Sequence, residues 1–331
     1  VPDQITLPPL RFEPIFQYRL WGGRRLEKLS REPLPGNEPI GESWILSDRD
    51  DFASKVIEGP EAGKTLAQLI KEQPDALLGK QSGKFTRYPL LLKFLDAREM
   101  LSVQVHPSDA QKNLLPPGER GKTEAWVVLE SDPESSIYAG LKPGTNAAEM
   151  EKKLQDGTVE EDLASFNPKV GDGVFIEAGT VHALGGGVVV FEVQQNSDVT
   201  FRLFDWNRVD AKTGKSRELH IEKGIESTDF SKGPVLPVEP IVEETSPALR
   251  EQMFTCEFFS LDRIRGDQSF SVGAEGLMRV IVCADGSGHL EAAGERYHVK
   301  KGDVWLLPAS VGVASFMPSN LSTLLEVAVP Q

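Results

Sequence analysis

The chain has 331 residues, enough for a large buried core and more typical of two packed modules than of one. With 39% hydrophobic and 26% charged residues, and no apolar run near the roughly 20 residues of a membrane span, the profile is that of a soluble globular protein without membrane contact. The formal net charge of −14 argues against a nucleic-acid surface and means that an anionic ligand needs a local basic pocket to overcome the general field.

Val1 to Pro14 lack the basic start and apolar core of a signal peptide. Tyr18, Trp21, Gly22 and Gly23 follow, and a short helix is expected over Arg24 to Leu29. Ser43 to Leu46 reads as a strand. Leu66, Leu69, Ile70 and Leu77 give Lys64 to Leu78 a helical period, which Pro74 should break. From Pro89 the pattern turns to β. Leu90–Leu95, Met100–His106, Ala125–Leu129, Ser136–Ala139, Gly173–Glu177, Val188–Gln194 and Thr200–Phe204 are short strands between Gly and Pro turns, the pattern of a β-sandwich or small barrel. Capping-box patterns at Ser108–Gln111 and Thr158–Glu161 predict two helical interruptions, the second within a patch running from Asn146 to Phe166. Ser227 to Ala248 reads as a linker, and Cys256 to Val329 as a second β-rich segment.

That second segment echoes the first. Gly171-Asp172-Gly173-Val174-Phe175-Ile176-Glu177-Ala178 is matched by Gly302-Asp303-Val304-Trp305-Leu306-Leu307-Pro308-Ala309. At the end of the aligned stretch, His182 is replaced by Val313. Two related β units, one with a ligand and one without, are the simplest reading, and chance similarity of two strand-turn segments is the alternative. Cys256 and Cys283 show neither CxxC nor metal spacing, so two free thiols in a reducing cytosol are expected, with a single disulfide as the alternative.

Gln104 and His106 lie two apart on one strand and therefore share a face. Glu124 opens a strand, and His182 ends a turn and opens the next. Two imidazoles, a carboxylate and an amide oxygen converging from neighbouring strands make an N/O metal site with room for substrate. Glu192 stands on an otherwise apolar strand, on one face with Val190 and Gln194, and is the candidate base. His220, His289 and His298 have no such company and read as surface or structural.

Ser102-Val103-Gln104-Val105-His106-Pro107, then Gly121-Lys122-Thr123-Glu124, then Ala178-Gly179-Thr180-Val181-His182-Ala183 resemble, in order, the metal-site motifs of type I phosphomannose isomerases. Glu192 to Arg202 resembles that family's substrate segment, and Trp21-Gly22-Gly23 and Gly41-Glu42-Ser43-Trp44 also fit. The likeness covers roughly residues 15 to 210 and is closest to compact bacterial members. It implies a mainly β fold of two cupin-like β-barrel (jelly-roll) units with a small helical insertion. Residues 1–230 would form the metal-binding unit with an insert at about 145–167, residues 231–250 a linker, and residues 251–331 a unit without metal ligands.

The resemblance further implies one zinc ion on Gln104, His106, Glu124 and His182, and isomerisation of mannose 6-phosphate to fructose 6-phosphate through a cis-enediol. Glu192 and Arg202 would be catalytic. Ser102 and Lys122 match the phosphate-binding pair. Asp198 and Arg208 complete the substrate-binding set, Arg208 standing where larger members often carry Lys. Trp21 and Trp44 line the pocket or the core, and Lys93 supports the site or snorkels from its apolar run. A monomer or weak homodimer in the cytoplasm, acting on a phosphorylated hexose, is expected. The alternatives are another cupin sugar-phosphate isomerase or metal oxygenase, and a non-catalytic sugar-phosphate sensor.

Overall fold

The computed structural model describes residues 6–330, so the reading of Val1 to Pro14 lies partly outside the described residues. The chain is mainly β, in four larger antiparallel sheets. A six-stranded sheet runs Ile15–Gly23, Ile40–Leu46, Leu90–Ala97, Val188–Gln195, Glu124–Ser131, Gly173–Ile176. A five-stranded sheet runs Phe201–Phe204, Val103–Val105, His182–Leu184, Ile137–Leu141, Leu163–Phe166. The C-terminal part repeats the plan. Its six-stranded sheet runs Ile241–Glu244, Leu249–Thr255, Ser260–Gly266, Ser322–Ala328, Arg279–Asp285, Val304–Leu307. Its four-stranded sheet runs Phe270–Gly273, Val313–Pro318, Ser287–Ala292, Glu295–Lys300.

The echoed strands Gly173–Ile176 and Val304–Leu307 occupy the same end position in the two six-stranded sheets. The turn before each is entered through a glycine in the left-handed region, Gly171 at φ +92° and Gly302 at φ +88°, which a residue with a Cβ would strain. The fourth strand of each sheet carries a glutamate at its fifth residue. Glu192 lies opposite Lys93 and Trp126, and Glu326 opposite Asp262 and Ile281.

Val188–Gln195 shows why its sequence is almost continuously apolar: both of its faces are buried. Val189, Phe191 and Val193 enter a core shared with Phe254 and Val327 of the other six-stranded sheet and with Phe259, just before its strand Ser260–Gly266. Val188 and Val190 enter a second core with Trp126, Ile137 and Leu184. Alternation puts Glu192 and Gln194 on this second face. Truncating Phe191 to Ala should therefore cost about 3–5 kcal/mol, read as a lower urea midpoint at unchanged slope. A loss below about 1 kcal/mol would show that the two sheets do not depend on this contact.

The helices add apolar residues to the cores. Thr65 and Gln68 form a capping box for Leu66–Glu72, and Pro74 opens a second helix, Pro74–Leu78, at a position where its missing N–H costs nothing. Their buried leucines join the shared core. Ala147–Asp156, capped by Asn146 and ended by Gly157 at φ +73°, packs Met150 and Leu154 against Val103 and Val105.

Three expectations are corrected. Ser108 and Gln111 do make a capping-type bond, from the Ser108 N–H to Gln111 Oε1, but only turns follow because Pro116 and Pro117 come too soon for a helix. Thr158 makes no side-chain cap. After the short 3-10 helix Val159–Asp162, the segment Leu163–Phe166 is a strand paired with Ile137–Leu141, not a continuation of the helical patch. The stretch read as a linker contains the strand Ile241–Glu244, which pairs with Leu249–Thr255. Cys256 and Cys283 are free thiols. Among the described residues no helix is long and apolar enough to cross a membrane.

Candidate active site

Strand register assembles the site. His182 lies directly opposite Gln104, and Arg202 opposite Gln104 on its other side. Glu124 opens its strand opposite Gln194. One ligand atom each from His106, Glu124 and His182 lies within 4.8 Å of the others, all three side chains buried.

Backbone carbonyls fix both imidazole tautomers. His106 Nδ1 is 2.9 Å from the Val199 carbonyl oxygen and His182 Nδ1 is 2.9 Å from that of Thr180, so each Nδ1 donates, and in the neutral ring Nε2 keeps the lone pair. Burial, reinforced by the Lys122 ammonium, brings the His106 pKa down to about 3, so its ring is neutral. The two Nε2 atoms face Glu124 at 3.5 Å and 3.3 Å. Burial alone would raise the Glu124 carboxyl, but Lys122, at 2.8 Å, holds it well below the usual range. Lone pairs thus face a carboxylate at a buried point. His106 Nε2 and Glu124 Oε1 have no hydrogen-bond partner. Such an arrangement is relieved by a cation between them, and the donor set suits a divalent metal. Gln104 is adjacent, its Nε2 3.2 Å from His182 Nε2 and its Oε1 accepting from Ser102 Oγ at 3.3 Å. A half-turn of the amide would present its oxygen instead.

A cavity of about 380 Å³ opens beside this cluster. Ser102, Gln104, Lys122, Glu192, Asp198 and Arg202 are all on its wall. Glu192 is buried. Its Oε1 accepts from Trp126 Nε1 at 3.0 Å, and its Oε2 is 3.3 Å from Lys93 Nζ. Burial raises its pKa against the pull of Lys93. Lys93 is 3% exposed and lies 5.2 Å from the Trp44 ring centre, so it does not snorkel. Glu42 stands 3.8 Å from it. Although buried, Glu42 is brought down to a pKa of about 2, chiefly by Arg19 and Lys93. Arg19 grips it from Nε at 2.8 Å and Nη2 at 3.2 Å. Trp21 lines the cavity, whereas Trp44 is core beneath Lys93.

Arg202 donates from Nη1 to the Glu218 carbonyl at 2.8 Å, while its Nε is buried without a partner. Burial and the neighbouring Arg217 lower its pKa to about 10. Arg208 does not reach the cavity wall. Its guanidinium is committed to the Met100 carbonyl and to Asp205. Arg217 lines the wall and takes Asp205 in a two-point grip. Sequence reasoning singled out neither Arg19 nor Arg217. Lys93 and the Gly41–Trp44 motif did carry a signal, one as a charge in an apolar run and the other through the resemblance.

Antiparallel sheets that bring two imidazoles and a carboxylate together beside a polar, charged cavity form a site suited to a divalent metal and a small hydrophilic substrate, the layout of an enzyme. Residues 10–124 match the family profile "Phosphomannose isomerase type I, catalytic domain", and residues 250–316 match "Mannose-6-phosphate isomerase, cupin domain". The chain is 36% identical over 310 residues to the mannose-6-phosphate isomerase ManA of Bacillus subtilis, covering 93% of this chain and 95% of that one. It is 32% identical to the mannose-6-phosphate isomerase of Streptococcus mutans, covering 92% and 93%. Its fold superposes on the crystal structure of the Bacillus subtilis mannose 6-phosphate isomerase with a TM-score of 0.89 at 29% identity, covering 98% of this chain and all of the other. The chain belongs to the type I mannose-6-phosphate isomerase family and is an isomerase.

Proposed function

We propose that the chain interconverts mannose 6-phosphate and fructose 6-phosphate through a cis-enediol, with zinc held by His106, Glu124, His182 and the Gln104 oxygen. One observation carries this reading: the Nε2 atoms of two imidazoles and an unpartnered carboxylate oxygen meet at a single buried point beside the cavity. The ion, when bound, supplies Lewis-acid polarisation of the substrate's carbonyl and hydroxyl oxygens.

The remaining chemistry belongs to the chain. Glu192 removes the proton at one of the two carbons and returns it to the other, and its burial favours a base closer to neutrality than a free carboxylate. Trp126 fixes the carboxylate through one oxygen, leaving the other for the substrate and Lys93. Arg202 steadies negative charge that develops on the enediol oxygens. Ser102, Lys122 and Asp198 hold the sugar from the cavity wall, while Arg208 acts from behind it by bracing Asp205. Each pair of sheets is read as a cupin barrel. Residues 1–230 hold the metal and residues 251–331 cover the back of its six-stranded sheet, joined through 231–250. The enzyme works in the cytoplasm, where both thiols remain reduced.

Stripping the metal and restoring it tests this. Turnover of mannose 6-phosphate to fructose 6-phosphate should vanish on chelation and return with one equivalent of zinc. Zinc binding without turnover would favour a sensor. Turnover that survives complete chelation would refute the metal assignment.

A further inference from the structure

Nothing in the spacing of His289 and His298 connects them, but the C-terminal four-stranded sheet sets them side by side. Their strands, Ser287–Ala292 and Glu295–Lys300, are joined by a two-residue turn with both residues in the left-handed region, Ala293 at φ +53° and Gly294 at φ +81°. Such tight turns pin the register of a hairpin. His289 then lies directly opposite His298. The Lys301 N–H donates to the Gly286 carbonyl at 3.0 Å, so by ladder alternation the two histidines form a non-hydrogen-bonded pair, the kind that brings side chains closest. Leu290 and Val299 enter the C-terminal core, and both imidazoles therefore stand on the face turned away from it. His289 is half-buried there and His298 exposed.

We infer that His289 and His298 form a second metal site, a two-imidazole clip on the C-terminal unit for a transition-metal dication, with Cu2+ held most tightly. The ring centres are 5.5 Å apart. Two imidazoles that share one ion through bonds of about 2.0–2.1 Å have their centres about 5 to 5.5 Å apart, so the ion needs a turn of the rings and no movement of the strands. Among the described residues neither ring makes a hydrogen bond or ion pair, so their nitrogens are available to an ion. Water fills the remaining positions, and imidazole donors favour copper, nickel and zinc over magnesium or calcium. Met317, opposite His289 on its other side, extends the row with a thioether on the same face. The flanking charges are Glu291, 3.9 Å from Arg296, and Lys300 opposite Ser287. They give no net attraction for a cation, so the affinity comes from the two imidazoles.

This site is independent of the isomerase reading, since it shares no residue with the cluster of His106, Glu124 and His182. The test is calorimetric titration of the metal-stripped chain with Cu2+, comparing wild type, His289→Gln, His298→Gln and His106→Ala. Wild type should take two equivalents and each glutamine variant one. His106→Ala should keep one, with a Kd of about 10 μM or tighter, and adding His298→Gln to it should weaken that binding by about tenfold or more. Nickel and zinc should bind the same site more weakly, in that order or close to it, and magnesium should not bind. Copper uptake that is alike in wild type and both glutamine variants overturns the site. So does a loss with only one of the two substitutions, because a clip needs both rings. If His106→Ala does not fold, the difference of one equivalent between wild type and the two glutamine variants decides. If the cluster at His106 binds no metal, wild type should take one equivalent and the glutamine variants none, which separates failure of that reading from failure of this one.

Discussion

His106→Ala should leave a folded protein that no longer retains metal through dialysis and whose turnover falls by about a thousandfold or more. The fold is expected to survive because the buried Glu124 keeps Lys122 as its counter-charge at 2.8 Å, so the substitution strands no lone ion. The metal is lost because His106 presents one of only two imidazole lone pairs at the point, and its orientation is set by a backbone carbonyl that no other side chain can use in its place. Elemental analysis and activity on the same dialysed sample decide the matter. A variant that keeps its metal and its turnover would remove His106 from the ligand set.

Glu192→Gln should behave differently. Metal content should stay at the wild-type level while kcat drops by about 10²- to 10⁴-fold, the range for losing a positioned base. Glutamine keeps the size of the group and still accepts from Trp126, so the substrate should find nearly the same cavity and KM should move little. The substitution also carries a structural penalty. Lys93 is buried and loses its nearer carboxylate, leaving only Glu42 at 3.8 Å, so a stability loss of about 3 kcal/mol is expected alongside the kinetic effect. In the wild type, activity requires the carboxylate form. It should therefore decline as pH falls through the raised Glu192 pKa, and that acidic limb should be absent from the residual activity of the variant. Retained kcat would move the base elsewhere.

Period-two alternation was enough to put Gln104 and His106 on one face, and Glu192 with Gln194 on another. Lys93 and Glu192 stood out because a charge inside a strand buried on both faces must answer to something. The cross-strand facts were not legible. That Lys93 faces Glu192, that Glu42 is gripped by Arg19, and that Arg217 reaches the cavity while Arg208 does not, all depend on register between segments far apart in the chain. Local signals misled where they were satisfied locally. The Ser108 N–H finds Gln111 Oε1 and the chain simply turns, since Pro116 and Pro117 end the stretch before a helix can extend.

The two six-stranded sheets share a strand plan but carry different chemistry at matching positions. Glu326 holds the place of Glu192, and Ile281, directly across from it, holds the place of Trp126. Counting two residues back along that strand, Arg279 occupies the position of Glu124, and Val313 that of His182. Arg279 Nε lies 3.5 Å from Glu326 Oε1, and the Gly273 N–H donates to Glu326 Oε2 at 3.0 Å. Where one chamber presents a carboxylate and lone pairs that call for an external ion, its counterpart has a built-in cation. On the proposed reading, supply of the ion governs catalysis, while the C-terminal sheets, with Arg279 as their own cation beside Glu326, need none.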